Sequence, residues 1–479
     1  MHPPEVLHQR ETGNRSARRR RRRGSGRDTW AAVGLAALSA VIPGSGHIWA
    51  GRKRIGAVIL VLFLLLLAAG AFVGTTMDRT QLMSYLVDSN VLTGVIVCAL
   101  LLAVGWSAVI VSAYYVRSPG RPSPLHSVLA AIVIGVLSLA VSTPPIYAAR
   151  YAFVGRDVLN NVFPTDHNVK RKTKEGKDPW AGKPRINVLL LGGDGGYDRT
   201  GIRTDSMTVA SIDTHTGNTI MFGLPRNMQH APMPPRLRSQ FPNGYTDLLN
   251  AVYQYGAQNP RYFHGKRPGI QAIQEVIEQI LGLKIDYYVL VNLRAFVDIV
   301  NAIGGIHIYV EKDIPIGGEG HPITGWIRKG HRHLNGEQAL WYGRSRAIDD
   351  DYHRMARQKC VLAAIAKQAD PATVLKGFQK IAASTKKNVF TDIPSADLPA
   401  LTQLGEKAKS ASIDSVNFVP PKYNTVNPDY TQIKRVTQRT IAKAEQKPSS
   451  PSPSVSASGG PTKKKKAKPT SLESTCRLG

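Results

Sequence analysis

The sequence predicts a mixed α/β domain preceded by an α-helical membrane region, and three observations carry that prediction. Between residues 185 and 420, apolar runs of strand length alternate with apolar residues at helical spacing. Ahead of them, residues 30–149 hold apolar stretches long enough to cross a bilayer. Around both, the chain is polar and basic: residues 15–27 carry eight arginines and residues 463–468 five lysines, so the net charge of +29 is unevenly placed. Strand and helix patterns that alternate within one block imply a mixed central sheet with helices on both faces.

Residues 1–29 are Arg-rich with few apolar side chains and read as a disordered basic arm on the cytoplasmic side. The other reading of such an arm is contact with nucleic acid. The chain carries no helix-turn-helix signal, so no nucleic-acid partner is expected.

Residues 30–50 are broken by Pro43-Gly44-Ser45-Gly46, whereas 55–76, 91–116 and 125–149 each exceed the roughly 20 residues a span requires. Further spans follow the first stretch, so it does not read as a cleaved secretory signal. The short basic loops, Arg52-Lys53-Arg54 and Arg117 with Arg121, belong on the cytoplasmic side. They agree with one another only if residues 30–50 form a re-entrant hairpin. Three spans then place everything after residue 150 outside the cell, in a multi-pass membrane protein. A fourth crossing by 30–50 would put both loops outside and the large domain inside. Residues 150–184, polar and rich in turn formers, read as a tether. Cys98, Cys360 and Cys476 are far apart, match no metal spacing and suggest no disulfide framework.

The domain opens with three strands. Ile186–Leu191 ends in Gly192-Gly193-Asp194, a Gly-rich loop closes on Arg203-Thr204-Asp205, Met207–Ile212 follows, and Thr219–Leu224 ends in Pro225-Arg226. Strands that stop at a carboxylate or an arginine deliver charge to one edge of a sheet, where α/β folds collect ligands. Asp offers hard oxygen ligands for Mg2+, and Arg a planar fork for phosphate oxygens. A surface cluster of salt bridges is the alternative at this stage. Further on, helices are expected near 248–255, over 269–281, 293–303, 335–342 and 351–369, and strands over 287–291, 306–310 and 413–419. Asp351, Arg354 and Gln358 fall on one helix face at steps of three and four, just after Arg344 and Arg346. An isolated pair of that kind is usually structural; two further guanidiniums upstream change its meaning.

The segments LLLGGD, RTDSMTVASID, GLPRN, LLNAVY, FVDIVNAIGGI, LNGEQALWYGRSR and D-x-x-R-x-x-R-Q, in that order over about residues 185–370, resemble the LytR-CpsA-Psr family. The resemblance implies a membrane-anchored phosphotransferase that moves a glycopolymer from a polyprenyl-pyrophosphate carrier to peptidoglycan, with Mg2+, and a hydrophobic channel for the prenyl chain. By motif, Asp194 and Asp205 would hold the metal. Arg203, Arg226, Arg344, Arg346 and Arg354 would bind pyrophosphate oxygens, Asp351 would orient an arginine, and Gln358 would line the site. The acceptor hydroxyl would attack at the sugar carbon or at phosphorus, with Asp205 taking its proton. The expected partners are the lipid-linked glycan, peptidoglycan and membrane lipid. Two positions depart from the family pattern: Asn227 stands where an aspartate is usual, and Leu248 where a lysine is frequent. Those departures keep two other readings open, a non-catalytic wall-polymer-binding scaffold and a membrane-bound transcriptional attenuator. Residues 421–479, rich in Pro, Ser and Lys, read as a disordered tail.

Overall fold

The computed structural model describes residues 26–77, 82, 85–118, 124–164, 179–180, 182–193, 204–318, 321–369, 388–446, 470–472 and 476. The chain divides into two compact units, residues 1–76 with 97–149 and residues 77–96 with 150–479.

The first unit is helical. α1 (Gly26–Val41) and α2 (Ser45–Trp49) are separated by the break at Pro43-Gly44. Gly44 has φ +90°, and a Cβ there would collide with the Gly56 carbonyl oxygen, so glycine is what lets the next helix approach. At 16 residues, α1 is about 24 Å long, short of the hydrocarbon core of about 30 Å. It packs Ala32, Val33 and Ala36 against Ile110 and Tyr114. Among the described residues three helices are long and apolar enough to cross a membrane: α3 (Lys53–Thr76), α4 (Ser89–Arg117) and α5 (Pro124–Val162). α5 overturns part of the expected tether, because residues 150–162 are helical. Their apolar residues keep a helical period, and Ala152 and Leu159 pack with Ile186 and Val188 at the start of the sheet.

The second unit is built on a seven-stranded sheet. Its strands are β1 (Arg185–Gly193), β2 (Thr204–Asp213), β3 (Thr219–Leu224), β4 (Tyr287–Asn292), β9 (Val389–Thr391), β10 (Ile413–Asn417) and β11 (Thr470–Ser471), in the order β11-β10-β3-β2-β1-β4-β9. β2 is antiparallel to both its neighbours, while β4 runs parallel to β1 and β10 parallel to β3. Side-chain alternation assigns the two faces. Leu189, Leu191, Phe222 and Leu224 face α6 (Ala251–Gln258) and α7 (Pro268–Leu281), whose Ile270, Ile273, Ile277 and Ile280 form one apolar stripe. Ile186 and Val188 face α11 (Leu398–Ser410). Met221 meets the cluster built by α8 (Leu293–Ala302), α9 (Gly336–Arg344) and α10 (Asp351–Gln368). Helices therefore cover both faces, as expected for this fold class.

Two small ribbons complete the unit. β5 (Ile306–Val310) pairs with β8 (Gly330–Leu334), and β6 (Ile314–Gly318) with β7 (His321–Ile327). α10 is fixed beneath the sheet by Lys359, which is 1 % exposed. Its Nζ donates to the Met221 carbonyl at 3.2 Å, Ser415 Oγ at 2.9 Å, the Val416 carbonyl at 3.1 Å and Asn417 Oδ1. These acceptors are all neutral, and burial pushes the ammonium down to about 7.

The C-terminal expectation needs correcting. The stretch expected as a tail from 421 holds α12 (Tyr430–Glu445), capped by Asp429 Oδ1 accepting from the Gln432 N–H, with Ile433 buried in the core and Tyr430 OH donating to the Gln229 carbonyl at 2.6 Å. Its buried stripe uses Thr437 and Thr440 beside Ile433, so counts of apolar residues understate it. The Pro/Ser/Lys-rich residues 447–469 lie outside the described residues, but β11 pairs with β10. Cys476 is disulfide-bonded to Cys360 on α10, a pairing that a separation of 116 residues gave no reason to expect.

Candidate active site

Sheet topology brings the charged segments together. β1 and β3 both run against β2, with Gly193 opposite Thr204 and Leu224 opposite Met207. The exit of β1, the entry of β2 and the exit of β3 therefore share one edge. Asp205 is the second residue of β2, and Arg226 follows β3 by two. α10 brings its N-terminus to the same edge. Asp350 caps that helix, its Oδ1 accepting from the N–H groups of Tyr352 at 3.0 Å and His353 at 2.9 Å. Hydrogen bonding from those N–H groups and from His353 holds the Asp350 carboxyl below its ordinary range.

The cluster centres on one carboxylate oxygen. Asp351 Oδ1 accepts from Arg354 Nε at 3.0 Å and lies 2.9 Å from its Nη2. Arg226 Nε stands 3.4 Å from the same atom and Arg346 Nη1 3.7 Å. Arg226 also donates through Nη1 to Asp205 Oδ1 at 2.7 Å, and Arg354 Nη2 reaches the Asp205 carbonyl at 3.2 Å. Asp205, Arg226, Arg346, Asp351 and Arg354 are thus one network of three guanidiniums and two carboxylates. Its surplus is positive, and the N-terminal dipole of α10 adds to it. Arg354 is 5 % exposed at its side chain and the others are more open, so the network has a buried root and an open mouth. Asp351 Oδ2 is buried with no partner among the described residues. An orphan acceptor of that kind marks a place that a cation or a hydroxyl would fill.

The remaining sequence-predicted residues fall differently. Arg344 ends α9 with its guanidinium 5.4 Å from the Trp341 ring centroid, two residues before Arg346. Gln358 donates through Nε2 to the Gly343 carbonyl at 3.0 Å, pinning the end of α9. Asp194 and Arg203 lie outside the described residues. Asn227 Nδ2 donates to Tyr352 OH at 3.3 Å, and that hydroxyl shares a hydrogen bond with Thr425 Oγ1 at 3.2 Å. Leu248 sits on the turn whose Asn250 N–H donates to the Arg226 carbonyl at 3.2 Å. Both departures from the family pattern therefore flank Arg226.

Sequence reasoning passed over Arg357. Its Nε donates to the Tyr342 carbonyl at 2.7 Å and its Nη2 to the Ser345 carbonyl, while Nη1 and Nη2 grip Asp349 at 2.5 and 3.0 Å. Lys312 adds a contact to Asp349 at 3.2 Å. Burial raises the Asp349 carboxyl, but the Arg357 and Lys312 charges outweigh it and hold it below its ordinary range. This clamp closes the loop that carries Arg344 and Arg346. The signal was present in the sequence as a second arginine three residues after Arg354, on the face turned to α9.

Among the described residues no group of three or more metal-type side chains gathers. Mg2+ does not need such a group, since it is commonly held by one or two carboxylates together with substrate phosphates and water. The hard oxygens of Asp205 and the orphan oxygen of Asp351 fit that mode.

Fold and cluster define an α/β protein with an arginine-rich site at its strand ends, in a chain that also has helices apolar enough to cross a membrane. The chain belongs to the LytR_cpsA_psr family, whose model matches residues 158–447. It is 32 % identical over 248 residues to biofilm regulatory protein A of Streptococcus mutans, covering 50 % of this chain and 58 % of that relative. It is 27 % identical over 263 residues to the polyisoprenyl-teichoic acid–peptidoglycan teichoic acid transferase TagU of Bacillus cereus, covering 54 % of this chain and 78 % of that one. Among solved structures it is similar to Bacillus subtilis TagV, with 26 % identity, TM-score 0.41, 56 % of this chain and 99 % of that chain covered.

Proposed function

We propose that the chain transfers a glycopolymer from a polyprenyl-pyrophosphate carrier to peptidoglycan. The observation that carries this reading is the convergence of Arg226, Arg346 and Arg354 on Asp351 Oδ1 at the strand-end edge, because three guanidiniums gathered at one partly open place match the several negative charges of a pyrophosphate. Membership in the family and the teichoic acid transferase activity named for TagU support it. In this mechanism the guanidiniums hold the pyrophosphate by its non-bridging oxygens. The acceptor hydroxyl attacks the phosphorus next to the sugar: the new oxygen–phosphorus bond forms, the phosphoanhydride breaks, and polyprenyl phosphate leaves. The hydroxyl proton passes to a carboxylate, assigned to Asp205. Asp205 together with Asp194 would hold Mg2+, which supplies charge neutralisation for the pyrophosphate when bound. Asp351 keeps Arg226, Arg346 and Arg354 aimed, so catalysis rests on positioning and on charge stabilisation.

We place the α/β unit outside the cell, with a cytoplasmic N-terminus. The short basic loops support that orientation, and so does the Cys360–Cys476 disulfide, since such bonds persist in oxidising compartments. A membrane-impermeant thiol reagent should label Gln240→Cys, an exposed position, on intact cells. Protection until lysis would reverse the orientation.

The activity is tested with the full-length protein in vesicles, Mg2+, a labelled polyprenyl-pyrophosphate glycan and peptidoglycan. Mg2+-dependent label transfer is expected. Retained donor binding without transfer would favour the scaffold and point to Asn227 and Leu248.

A further inference from the structure

Lys359 is buried among acceptors that carry no charge. The Met221 carbonyl, Ser415 Oγ, the Val416 carbonyl and Asn417 Oδ1 surround its Nζ, whereas a fully buried lysine is ordinarily paired with a carboxylate. The elements around it supply none. β3 has no titratable residue, and strand alternation turns Asp414 of β10 to the face opposite Ser415. On α10 itself, Arg357 is committed to Asp349 and Lys367 to the Ala411 carbonyl at 2.5 Å. The place for the ammonium is kept open by Gly223, where a Cβ would stand 2.6 Å from Lys359 Nζ.

The lysine ties together the segments that build the arginine site. Gly223 lies opposite Asn417 in the parallel β3–β10 pair, and β3 reaches Arg226 three residues later. β10 leads on to Thr425, whose Oγ1 meets Tyr352 OH at 3.2 Å. Along α10, Arg354 precedes Lys359 by five residues, about 7.5 Å of helix rise. From Gly223 to Arg226 is at most about 10 Å of extended chain. An interior cation this close is repelled by the guanidiniums and attracted by any anion they hold.

We propose that Lys359 is a positioning residue for the donor: its ammonium locks α10 to the strands that lead to Arg226 and Thr425, and its unmatched charge is answered by the donor's pyrophosphate. The identity of that anion rests on the function proposed above; the buried, unmatched ammonium does not. Bound pyrophosphate favours the protonated lysine. Burial pushes the ammonium of the free protein down to about 7, so above that pH donor binding takes up a proton and affinity falls as pH rises. Each pH unit by which the donor lifts the lysine is worth about tenfold in affinity.

The experiment is calorimetry on the full-length protein in zwitterionic nanodiscs. The probe is polyprenyl-pyrophosphate-linked N-acetylglucosamine, a diphosphate diester whose charge is constant across the neutral range. Titrations at pH 8 in buffers of different ionisation enthalpy count the protons taken up. The wild type should take up a fraction of a proton and bind about tenfold more weakly at pH 8.5 than at pH 6.5. Lys359→Gln keeps N–H donors without charge; it should bind weakly at both pH values and take up no proton. Lys359→Arg, permanently charged, should restore binding at pH 8.5 without uptake. A wild type that binds without proton uptake and with equal affinity at both pH values would overturn the proposal, whatever the variants do. So would uptake that survives in Lys359→Gln, or that disappears in His353→Gln, since His353 stands on the first turn of α10. Label transfer to peptidoglycan is read on the same samples. Proton-linked binding without transfer upholds the role of Lys359 and removes the transferase reading; transfer with binding indifferent to pH does the reverse.

Discussion

The two arginines of α10, Arg354 and Arg357, stand three residues apart and do opposite things. Arg354 shares one oxygen of Asp351 with Arg226 and Arg346 and reaches only the Asp205 carbonyl besides, among the described hydrogen bonds. Arg357 grips both oxygens of Asp349, which Lys312 also contacts, and two carbonyls besides, so four of its five N–H donors are engaged. Side-chain identity does not separate them, and neither does burial, since both are nearly covered. What separates them is the ratio of acceptors to donors. A guanidinium group short of acceptors is prepared for a ligand anion, and one with all its acceptors in place is a piece of scaffolding.

That contrast can be broken at its rigid end first. Arg357→Ala leaves Asp349 buried beside Lys312 alone, which should cost about 3–5 kcal/mol of stability. Chemical unfolding of the full-length protein measures it; a loss below about 1 kcal/mol, the level of an exposed pair, would show that the clamp is not holding the loop.

A smaller effect sharpens the contrast two residues along, at Lys359, whose acceptors are complete but uncharged. Its pKa falls from 10.5 to about 7 on folding. Between those values the unfolded chain binds the proton and the folded chain does not. Stability should therefore rise with pH across that window, and fall as pH drops toward 7, with a slope of at most about 1.4 kcal/mol per unit from this group. Lys359→Met should flatten that part of the profile. An unchanged slope in the variant would assign it to other groups.

Much of this was legible in the chain. β1 and β3 are apolar runs of strand length, α7 carries isoleucines at helical spacing, and each ends where a turn or a charge says it should. The strand-end position of Asp205 and Arg226 and the helix face of Asp351 and Arg354 followed from those same periods. Other parts were hidden for physical reasons. α12 buries threonines, which a hydrophobic pattern does not count. β8 is Gly-His-Arg-His-Leu, held by pairing with β5 and not by an apolar face of its own. The Cys360–Cys476 bond depends on where the sheet edge brings the C-terminal residues, and Arg357 looked like one more cation until the carbonyls of Tyr342 and Ser345 were placed around it.

The central claim is that Arg226, Arg346 and Arg354 hold a pyrophosphate and Arg357 does not. It is tested most directly by the affinity of the full-length protein for a polyprenyl pyrophosphate, measured for the wild type, Arg354→Lys and Arg357→Lys. Lysine keeps the charge and loses the fork. Arg354→Lys should weaken binding about tenfold, or about 1.4 kcal/mol, with little change in unfolding. Arg357→Lys should leave affinity near wild type and lower stability. Equal affinities for all three proteins, or a larger loss from Arg357→Lys than from Arg354→Lys, would contradict the account.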